Sequence, residues 1–370
     1  MKIAVLKERA DGETRVAATP ETVKKFIGLG NEVALEEGAG ATASITDEAF
    51  AEAGAILGDA AATVKDADIV LGVQAPEAAL LAGAKPGAWV AALFDPFQQG
   101  ERVEVYAKAG LEALSMEFMP RITRAQSMDV LSSQSNLAGY KAVLAAADEY
   151  GRAFPMMMTA AGTVQAARCF VMGVGVAGLQ AIATAKRLGA QVSATDVRPE
   201  TAEQITSLGA KAVFAEGLEA AGEGGYAAEL TDEQKAKQAE LVSEHIAKQD
   251  LVITTALIPG RKAPVLVTDA QIATMKPGSV IFDLAVAQGG NVEGSKPDEV
   301  VVKHGVKVMG FSNTPAHLAA DASALFARNH FNFLSAFWDK EAGKPQLDEE
   351  IGDAIRLTKG GEVVNARLKG

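Results

Sequence analysis

Short apolar runs alternate along the chain with longer segments whose apolar residues recur at helical spacing. This alternation is typical of α/β proteins, in which helices connect parallel strands. The first series of predicted strands is Ile3–Leu6, Glu32–Leu35, Asp68–Val73, Ala88–Leu93 and Leu111–Met116. The second series is Cys169–Met172, Gln191–Thr195, Lys211–Phe214, Leu251–Thr254, Ser279–Asp283 and Lys307–Met309. We therefore expect an α/β protein with two Rossmann-like, doubly wound parallel sheets.

A polar segment, residues 119–133, interrupts this pattern and is expected to link two domains. A helix is predicted to follow it, from about Gln134 to Tyr150, and a long helix is predicted at about Ala316–Trp338. In two-domain α/β chains such a late helix commonly crosses back to the first domain. We therefore expect residues 1–133 and 316–370 to form the first domain, and residues 134–315 to form the second.

Composition and charge narrow the possible functions. The net charge of −12 leaves no electrostatic footprint for nucleic acid or for an anionic membrane surface. No apolar run reaches the ~18 residues of a membrane span, and no signal peptide is visible. The single cysteine, Cys169, falls in a predicted buried strand and is expected to be a core residue. From the missing span and signal peptide we expect a cytoplasmic protein with no direct membrane insertion. The four histidines form no metal-binding spacing, so we expect no metal site.

The second predicted domain opens with a glycine pattern that is typical of dinucleotide sites. Gly173, Gly175 and Gly178 form Gly-x-Gly-x-x-Gly between a predicted strand and a predicted helix, Ala177–Leu188. The first glycine permits a tight turn, the second lets the backbone approach a pyrophosphate, and the third allows close helix–strand packing. The amino end of the helix favours the phosphate charge.

An acidic residue at the end of the next strand predicts which dinucleotide is bound. Asp196 lies 18 residues beyond Gly178 (196 − 178), close to the gap of about 20 found in such sites. Its carboxylate would accept hydrogen bonds from the adenosine ribose and would repel a 2′-phosphate. The spacing therefore favours NAD(H) over NADP(H), although the charge of Arg198 would soften this preference.

Glycines are also dense in the segment Glu216–Glu229, where Tyr226 stands alone among small residues. Such density is costly for any regular element. Composition alone leaves two alternatives open, which are an exposed linker and a lid that closes over a ligand.

Several segments together resemble the NAD(H)-binding domain of proton-translocating NAD(P) transhydrogenase, which is the soluble portion of its alpha subunit. Met119–Tyr140 carries the most specific similarity, and Phe154–Thr163, Gly173–Gly189, Thr254–Gly260 and Met275–Ala285 extend it. In that family the polar segment positions the nicotinamide. The resemblance implies catalytic roles for Arg121, Gln126, Asp129 and Ser132. It implies cofactor contacts at Arg121, Ile122, Thr123, Arg124, Gln126, Ser127, Met128, Asp129, Ser132, Gly173, Gly175, Val176, Gly178, Asp196, Val197, Arg198, Gly225, Tyr226 and Leu257.

Two of these implied contacts come from loops. Gly225 and Tyr226 match a mobile loop of the family that closes on the nucleotide, and this favours the lid. Leu257 matches a position near the adenine or the ribose.

The amino-terminal segment also resembles alanine dehydrogenase, whose reaction requires acid–base groups because protons move together with a hydride. At the positions where that family has a lysine, a histidine and an aspartate, this sequence has Gln74, a histidine-free run 91–97 and Ala287. Direct hydride transfer between two nicotinamides needs no such groups. Arg15, which in alanine dehydrogenase holds the substrate carboxylate, is expected to be a remnant in an ion pair.

The resemblance implies that NAD(H) bound here exchanges hydride with NADP(H) on a partner subunit. It implies a homodimer that associates peripherally with the inner membrane through NADP(H)-binding and membrane-spanning subunits. With no membrane span before Gly370, we expect the membrane component to be a separate polypeptide. Two alternatives stay open, namely an alanine-dehydrogenase-like amino-acid dehydrogenase and a non-catalytic NAD(H)-binding module.

Overall fold

The computed structural model describes residues 1–215, 231–257 and 260–369. The chain divides into two compact units, of which the first is Met1–Gln134 with Pro315–Gly370 and the second is Ser135–Thr314. The segment predicted as a linker or a lid, with Gly225 and Tyr226, lies outside the described residues.

The strands and helices alternate through most of the chain. The strands are β1 (Lys2–Val5), β2 (Glu32–Glu36), β3 (Ile56–Gly58), β4 (Ile69–Gln74), β5 (Trp89–Leu93), β6 (Glu112–Ser115), β7 (Met157–Thr159), β8 (Gly162–Val164), β9 (Arg168–Met172), β10 (Gln191–Thr195), β11 (Lys211–Ala212), β12 (Leu251–Thr254), β13 (Val280–Asp283), β14 (Val301–Lys303), β15 (Val306–Met309), β16 (Trp338–Asp339), β17 (Lys344–Pro345), β18 (Thr358–Lys359) and β19 (Glu362–Val363). The helices are α1 (Pro20–Gly28), α2 (Asp47–Glu52), α3 (Ala60–Val64), α4 (Gly100–Lys108), α5 (Val130–Glu149), α6 (Val176–Arg187), α7 (Ala202–Ser207), α8 (Asp232–Ile246), α9 (Asp269–Thr274), α10 (Ala319–Ala336) and α11 (Glu349–Ile355).

The first unit contains a parallel sheet with the order β3-β2-β1-β4-β5-β6. Its central strands are apolar on both faces because both faces are covered. The carboxyl-terminal segment of the chain completes this unit. Phe326 and Phe333 of α10 are fully buried in its core, and the Thr358 hydroxyl donates to the Leu111 carbonyl at 2.7 Å.

The second unit contains a sheet with the order β11-β10-β9-β12-β13-β15-β14. The first six strands in this order are parallel to one another, whereas the last, β14, runs antiparallel to β15. Together the two sheets confirm the predicted class, but the sequence pattern missed one edge strand in each sheet, β3 in the first and β14 in the second. His304 and Gly305 connect β14 to β15, and both have positive φ, at 51° and 80°. They form a tight hairpin turn that the strand pattern did not signal.

Helix α5 begins at Val130, four residues before the predicted start at Gln134. Asp129 explains the difference, because its carboxylate accepts a hydrogen bond from the Ser132 amide at 2.9 Å. A side-chain acceptor at this place caps the helix. The polar segment therefore includes the first turn of α5.

The packing of α5 on α6 depends on a glycine. A Cβ added at Gly139 would meet the Ala177 carbonyl group far inside contact distance, so only glycine allows this approach. Both residues belong to the second unit.

We predict that Gly139→Ala lowers the free energy of unfolding by about 1–3 kcal/mol, because the two helices must separate to admit a methyl group. Gly151→Ala is the matched control, since a Cβ there meets nothing within 4 Å. Urea unfolding of both variants measures the difference. Equal stability of the two variants would contradict the packing argument.

Candidate functional site

The glycine turn after β9 has the geometry that its spacing predicts. Gly173 has φ 102°, and a Cβ there would lie 2.5 Å from the Thr255 hydroxyl oxygen. A Cβ at Gly178 would collide with the Gly173 carbonyl oxygen, whereas a Cβ at Gly175 would enter open space. The first glycine therefore makes the turn, the third allows α6 to pack on it, and the second leaves the backbone approachable.

This turn lies at the switch point of the second sheet, where β9 pairs with β10 on one side and with β12 on the other. Ligands of open α/β sheets bind at the carboxyl ends of the strands at such a point. Gly175 is the N-cap of α6, and Gly175 and Val176 are exposed. The first amides of the helix lack intrahelical partners, so this end can receive an anionic group.

Asp196 follows β10 and closes the same edge of the sheet. Its Oδ2 accepts the Val174 amide at 2.6 Å, and its Oδ1 accepts the Arg198 amide at 3.0 Å and the Arg198 Nε at 2.9 Å. Burial alone would raise the pKa of Asp196, but the donors of Arg198 and Val174 outweigh it and hold the pKa below its ordinary value. The carboxylate is therefore ionised and can accept hydrogen bonds. Val197 beside it is 74% exposed.

The loop after β12 is held by polar side chains that sequence reasoning missed. The Thr255 hydroxyl donates to the Gly173 carbonyl at 3.1 Å. Asn291, which is fully buried, accepts the Ala256 amide at 3.0 Å and donates to the carbonyls of Ala256 at 2.9 Å and Pro264 at 2.8 Å. The asparagine after the Gly-Gly pair was the available signal. These contacts hold the backbone next to Leu257, whose side chain is exposed.

In the first unit, the predicted nicotinamide segment contains a short 3-10 helix, Thr123–Met128. Met128 is buried in the core of this unit, and Ile122 packs against that core. The Ser127 carbonyl accepts hydrogen bonds from Asn329 at 2.8 Å and from Asn332 at 3.1 Å. Helix α10 therefore fixes the segment, and the residues exposed on it are Arg121, Thr123, Arg124, Gln126 and Ser127.

Three of the predicted site residues already have partners within the first unit. Arg124 contacts the carboxylates of Asp348 and Glu350, both at 2.5 Å. The Ser132 hydroxyl donates to Asp129 at 2.5 Å, next to the capping bond described above. Of the polar side chains predicted to be catalytic, Arg121 and Gln126 are the exposed ones, while Asp129 and Ser132 also hold the start of α5.

The switch point of the first sheet, between β1 and β4, is filled by polar side chains. Arg15 is 3% exposed and binds the two oxygens of Glu13 through Nε at 2.7 Å and Nη2 at 2.6 Å. Gln134 accepts from Arg15 Nη1 at 2.9 Å, and Gln74 donates to Glu13 at 3.0 Å. This arrangement confirms the ion pair expected for Arg15. Burial opposes ionisation of Glu13, but Arg15 and Gln74 hold its pKa below the ordinary value.

Glu8 lies next to this cluster and binds the backbone where the pairing of β4 is irregular. The pairing of β4 with β5 shifts register between Leu71 and Gln74. Glu8 accepts the Val73 amide at 2.6 Å and the Gln74 amide at 3.2 Å, which satisfies both donors. Burial is the largest influence on this carboxyl and raises its pKa to about 7, against the opposing effect of the two amides.

In the portion of the chain that the structure describes, we also considered a reactive thiol, a metal site and a membrane span. Cys169 is fully buried, and burial raises the pKa of its thiol to about 12, which confirms a core residue. Among the described residues, no three histidine, cysteine, aspartate or glutamate side chains group closely enough to hold a metal ion. No described helix is both long and apolar enough to cross a membrane.

Comparisons with known proteins agree with this geometry. The family models named alanine dehydrogenase/PNT, N-terminal domain and C-terminal domain, match residues 4–138 and 142–366. The first portion of NAD(P) transhydrogenase subunit alpha from Rhodospirillum rubrum is 52% identical over 384 residues, which cover 100% of this chain and 99% of the relative. The crystal structure of a transhydrogenase from Sinorhizobium meliloti is 52% identical, with a TM-score of 0.90 over 98% of this chain and 100% of that one. An L-alanine dehydrogenase structure is 24% identical, with a TM-score of 0.82 over 100% of this chain and 98% of that one, and shows the shared fold.

We predict that Glu8→Gln changes the pH dependence of stability. The folded pKa is raised from 4.5 to about 7, so the stability contributed by the protonated carboxyl is full below about 4.5 and is lost as pH rises through 7. The stability of Glu8→Gln relative to the parent protein should therefore rise by about 3 kcal/mol between pH 4.5 and pH 8. Urea unfolding at both pH values measures it. Glu52→Gln, at an exposed position, is the control, and parallel pH curves for Glu8→Gln and the parent would contradict the assignment.

Proposed function

Because the chain belongs to the alanine dehydrogenase/PNT family, we propose that it acts as the NAD(H)-binding component of a proton-translocating NAD(P) transhydrogenase. The proposal draws on the 52% identity to a transhydrogenase subunit over the whole chain. Its residues then hold NAD(H) while hydride passes directly between the nicotinamides of NAD(H) and of NADP(H) bound to a partner subunit.

The observation that carries the proposal is the glycine turn together with Asp196. The turn and the amino end of α6 would receive the pyrophosphate. An ionised carboxylate at the end of β10 would accept the ribose hydroxyls and repel a 2′-phosphate. We therefore assign NAD(H), rather than NADP(H), to this chain.

The polar cluster of the first unit supports transhydrogenation over an amino-acid dehydrogenase. A small carboxylate substrate needs a free cation, but Arg15 is bound at both ends by Glu13 and Gln134. Glu13 is in turn bound by Gln74, whose amide side chain has no titratable proton and cannot act as a general acid or base. Ring-to-ring hydride transfer leaves the protonation of oxygen and nitrogen unchanged, so it asks only for orientation and exclusion of water.

Orientation of the nicotinamide is assigned to the segment that α10 fixes. Arg121 and Gln126 are exposed there, and the Asn329 and Asn332 side chains hold the backbone at Ser127. A rigid support of this kind suits residues that must hold a reacting ring. Asp129 and Ser132 are assigned to the same role in addition to capping α5.

Further subunits follow from this function. The Rhodospirillum rubrum relative is named as one portion of an alpha subunit, a name that implies a larger complex. We assign to the partners the NADP(H) site and the proton-conducting membrane component, and we place this chain on the membrane periphery through them.

A homodimer is supported by an exposed apolar surface in the second unit. The hairpin β7–β8 and the residue before it present Met156 and Met158, which are 63% and 80% exposed. Large flexible apolar side chains on an exposed hairpin are suited to burial against a second copy.

We predict that this chain, mixed with an isolated NADP(H)-binding transhydrogenase component, transfers hydride from NADPH to an NAD⁺ analogue of distinct absorbance. Gln126→Ala should lower the rate about ten- to a hundredfold, because the nicotinamide loses a positioned hydrogen bond. Gln98→Ala, at another exposed glutamine of the first unit, is the control and should leave the rate unchanged. Tight NADH binding without transfer would reject the proposal, and turnover of pyruvate with ammonium would then identify a dehydrogenase.

We predict that the chain sediments as a dimer and that Met156→Ser/Met158→Ser weakens the dimer about tenfold or more. Val302→Ser is the control, because Val302 is 66% exposed on β14, elsewhere in the same unit. Equilibrium sedimentation measures the dissociation constant, and far-UV circular dichroism checks folding. A monomeric parent protein, or a double variant that dimerises normally, would reject this surface.

A further inference from the structure

The carboxylate predicted to bind the adenosine ribose is already occupied by a neighbouring side chain. Arg198 donates to Asp196 Oδ1 from its amide at 3.0 Å and from Nε at 2.9 Å. Its Nη2 donates to Oδ2 at 3.3 Å and also lies 3.5 Å from the Val174 carbonyl oxygen. The Val174 amide donates to Oδ2 at 2.6 Å.

Counting acceptor positions shows what this occupancy means for a ligand. A carboxylate offers about four lone-pair sites, and Asp196 receives four donors from Arg198 and Val174. Two of them are backbone amides that also define the glycine turn and the end of β10. The guanidinium is the exchangeable partner, because the Arg198 side chain is 47% exposed while that of Asp196 is 7% exposed.

We propose that Arg198 is a specificity-determining residue, which occupies the ribose-binding face of Asp196 until the hydroxyls of NAD(H) displace its guanidinium. This inference rests on the proposed function, since it requires that NAD(H) binds at this turn. The ion pair and the bound ribose exclude one another because both use the same oxygens. Binding of NAD(H) therefore includes the work of breaking the pair.

The same residue affects the response to a 2′-phosphate. With Arg198 present, the negative charge of Asp196 is matched by a guanidinium that a phosphate can also engage bidentately. Without Arg198, a 2′-phosphate would face Asp196 alone. Removal of this side chain should therefore act in opposite directions on the two nucleotides, with tighter binding of NADH and weaker binding of NADPH.

The test compares the parent chain with Arg198→Met, which keeps much of the apolar stem and removes the donors. The affinities for NADH and NADPH are measured by nicotinamide fluorescence and by calorimetry. Arg187→Met is the matched control, because it removes an exposed arginine at the end of α6 and changes the net charge equally. Arg198→Lys keeps the charge but loses the fork, and should lie between the parent and Arg198→Met.

We expect Arg198→Met to bind NADH about two- to tenfold more tightly, as for loss of one partly exposed ion pair. The ratio of the NADPH to the NADH dissociation constants should rise, and Arg187→Met should match the parent. Weaker or unchanged NADH binding in Arg198→Met would overturn the inference and make Arg198 a nucleotide contact or a bystander. If neither the parent nor any variant binds NADH, the proposed function itself fails, and this outcome is distinct from the others.

Discussion

Helix α6 starts where it does because no side chain separates its first turn from the carbonyl oxygen of Gly173. A methyl group at position 178 would collide with that oxygen, and one at position 173 would meet the Thr255 hydroxyl. Helix α5 packs on α6 under the same restriction, through Gly139. The strand end, the two helices and the loop after β12 are thus held together by close contacts that only glycine permits, and the candidate nucleotide site is the surface that these contacts leave open.

The two sheets have the same doubly wound order, but their switch points differ in accessibility. In the second sheet the edge is left accessible, with Gly175 and Val176 exposed. In the first sheet the corresponding edge is closed by Glu13, Arg15 and Gln74, whose polar atoms bind one another. Buried charges persist only when they are paired and hydrogen-bonded, and this cluster meets that condition without a ligand. Each sheet has a switch point where a ligand could bind, but only the switch point of the second sheet is accessible among the described residues.

The predictions from sequence were accurate where one local physical rule decided the structure. Strands such as Gln191–Thr195 and Leu251–Thr254 are almost entirely buried, and their predicted bounds agree with the structure. The edge strand β14 was missed because its exposed valine and its His304-Gly305 turn give a weak signal. The start of α5 was placed late because Asp129 was interpreted as belonging to a polar loop, whereas it caps the helix.

The residues of the candidate site also divide into those that a local sequence rule predicted and those that it did not. The glycine turn and Asp196 could be predicted from spacing. The roles of Glu8 and Asn291 were missed, because each binds backbone groups far away in the sequence, and the Gly-Gly pair before Asn291 marks only its position. The polar segment 121–132 became a candidate through resemblance, since its composition alone also fits a solvated surface.

Cys169 has a practical consequence for spectroscopy. It is the single cysteine of the sequence, and it lies in the middle of the second sheet with no exposed surface. Burial disfavours its thiolate, the form that reacts with alkylating reagents. The native thiol is therefore expected to react little with labelling reagents in the folded chain. A fluorophore or spin label attached to a cysteine introduced on the surface would report from that position alone, in the folded protein and without removal of the native residue.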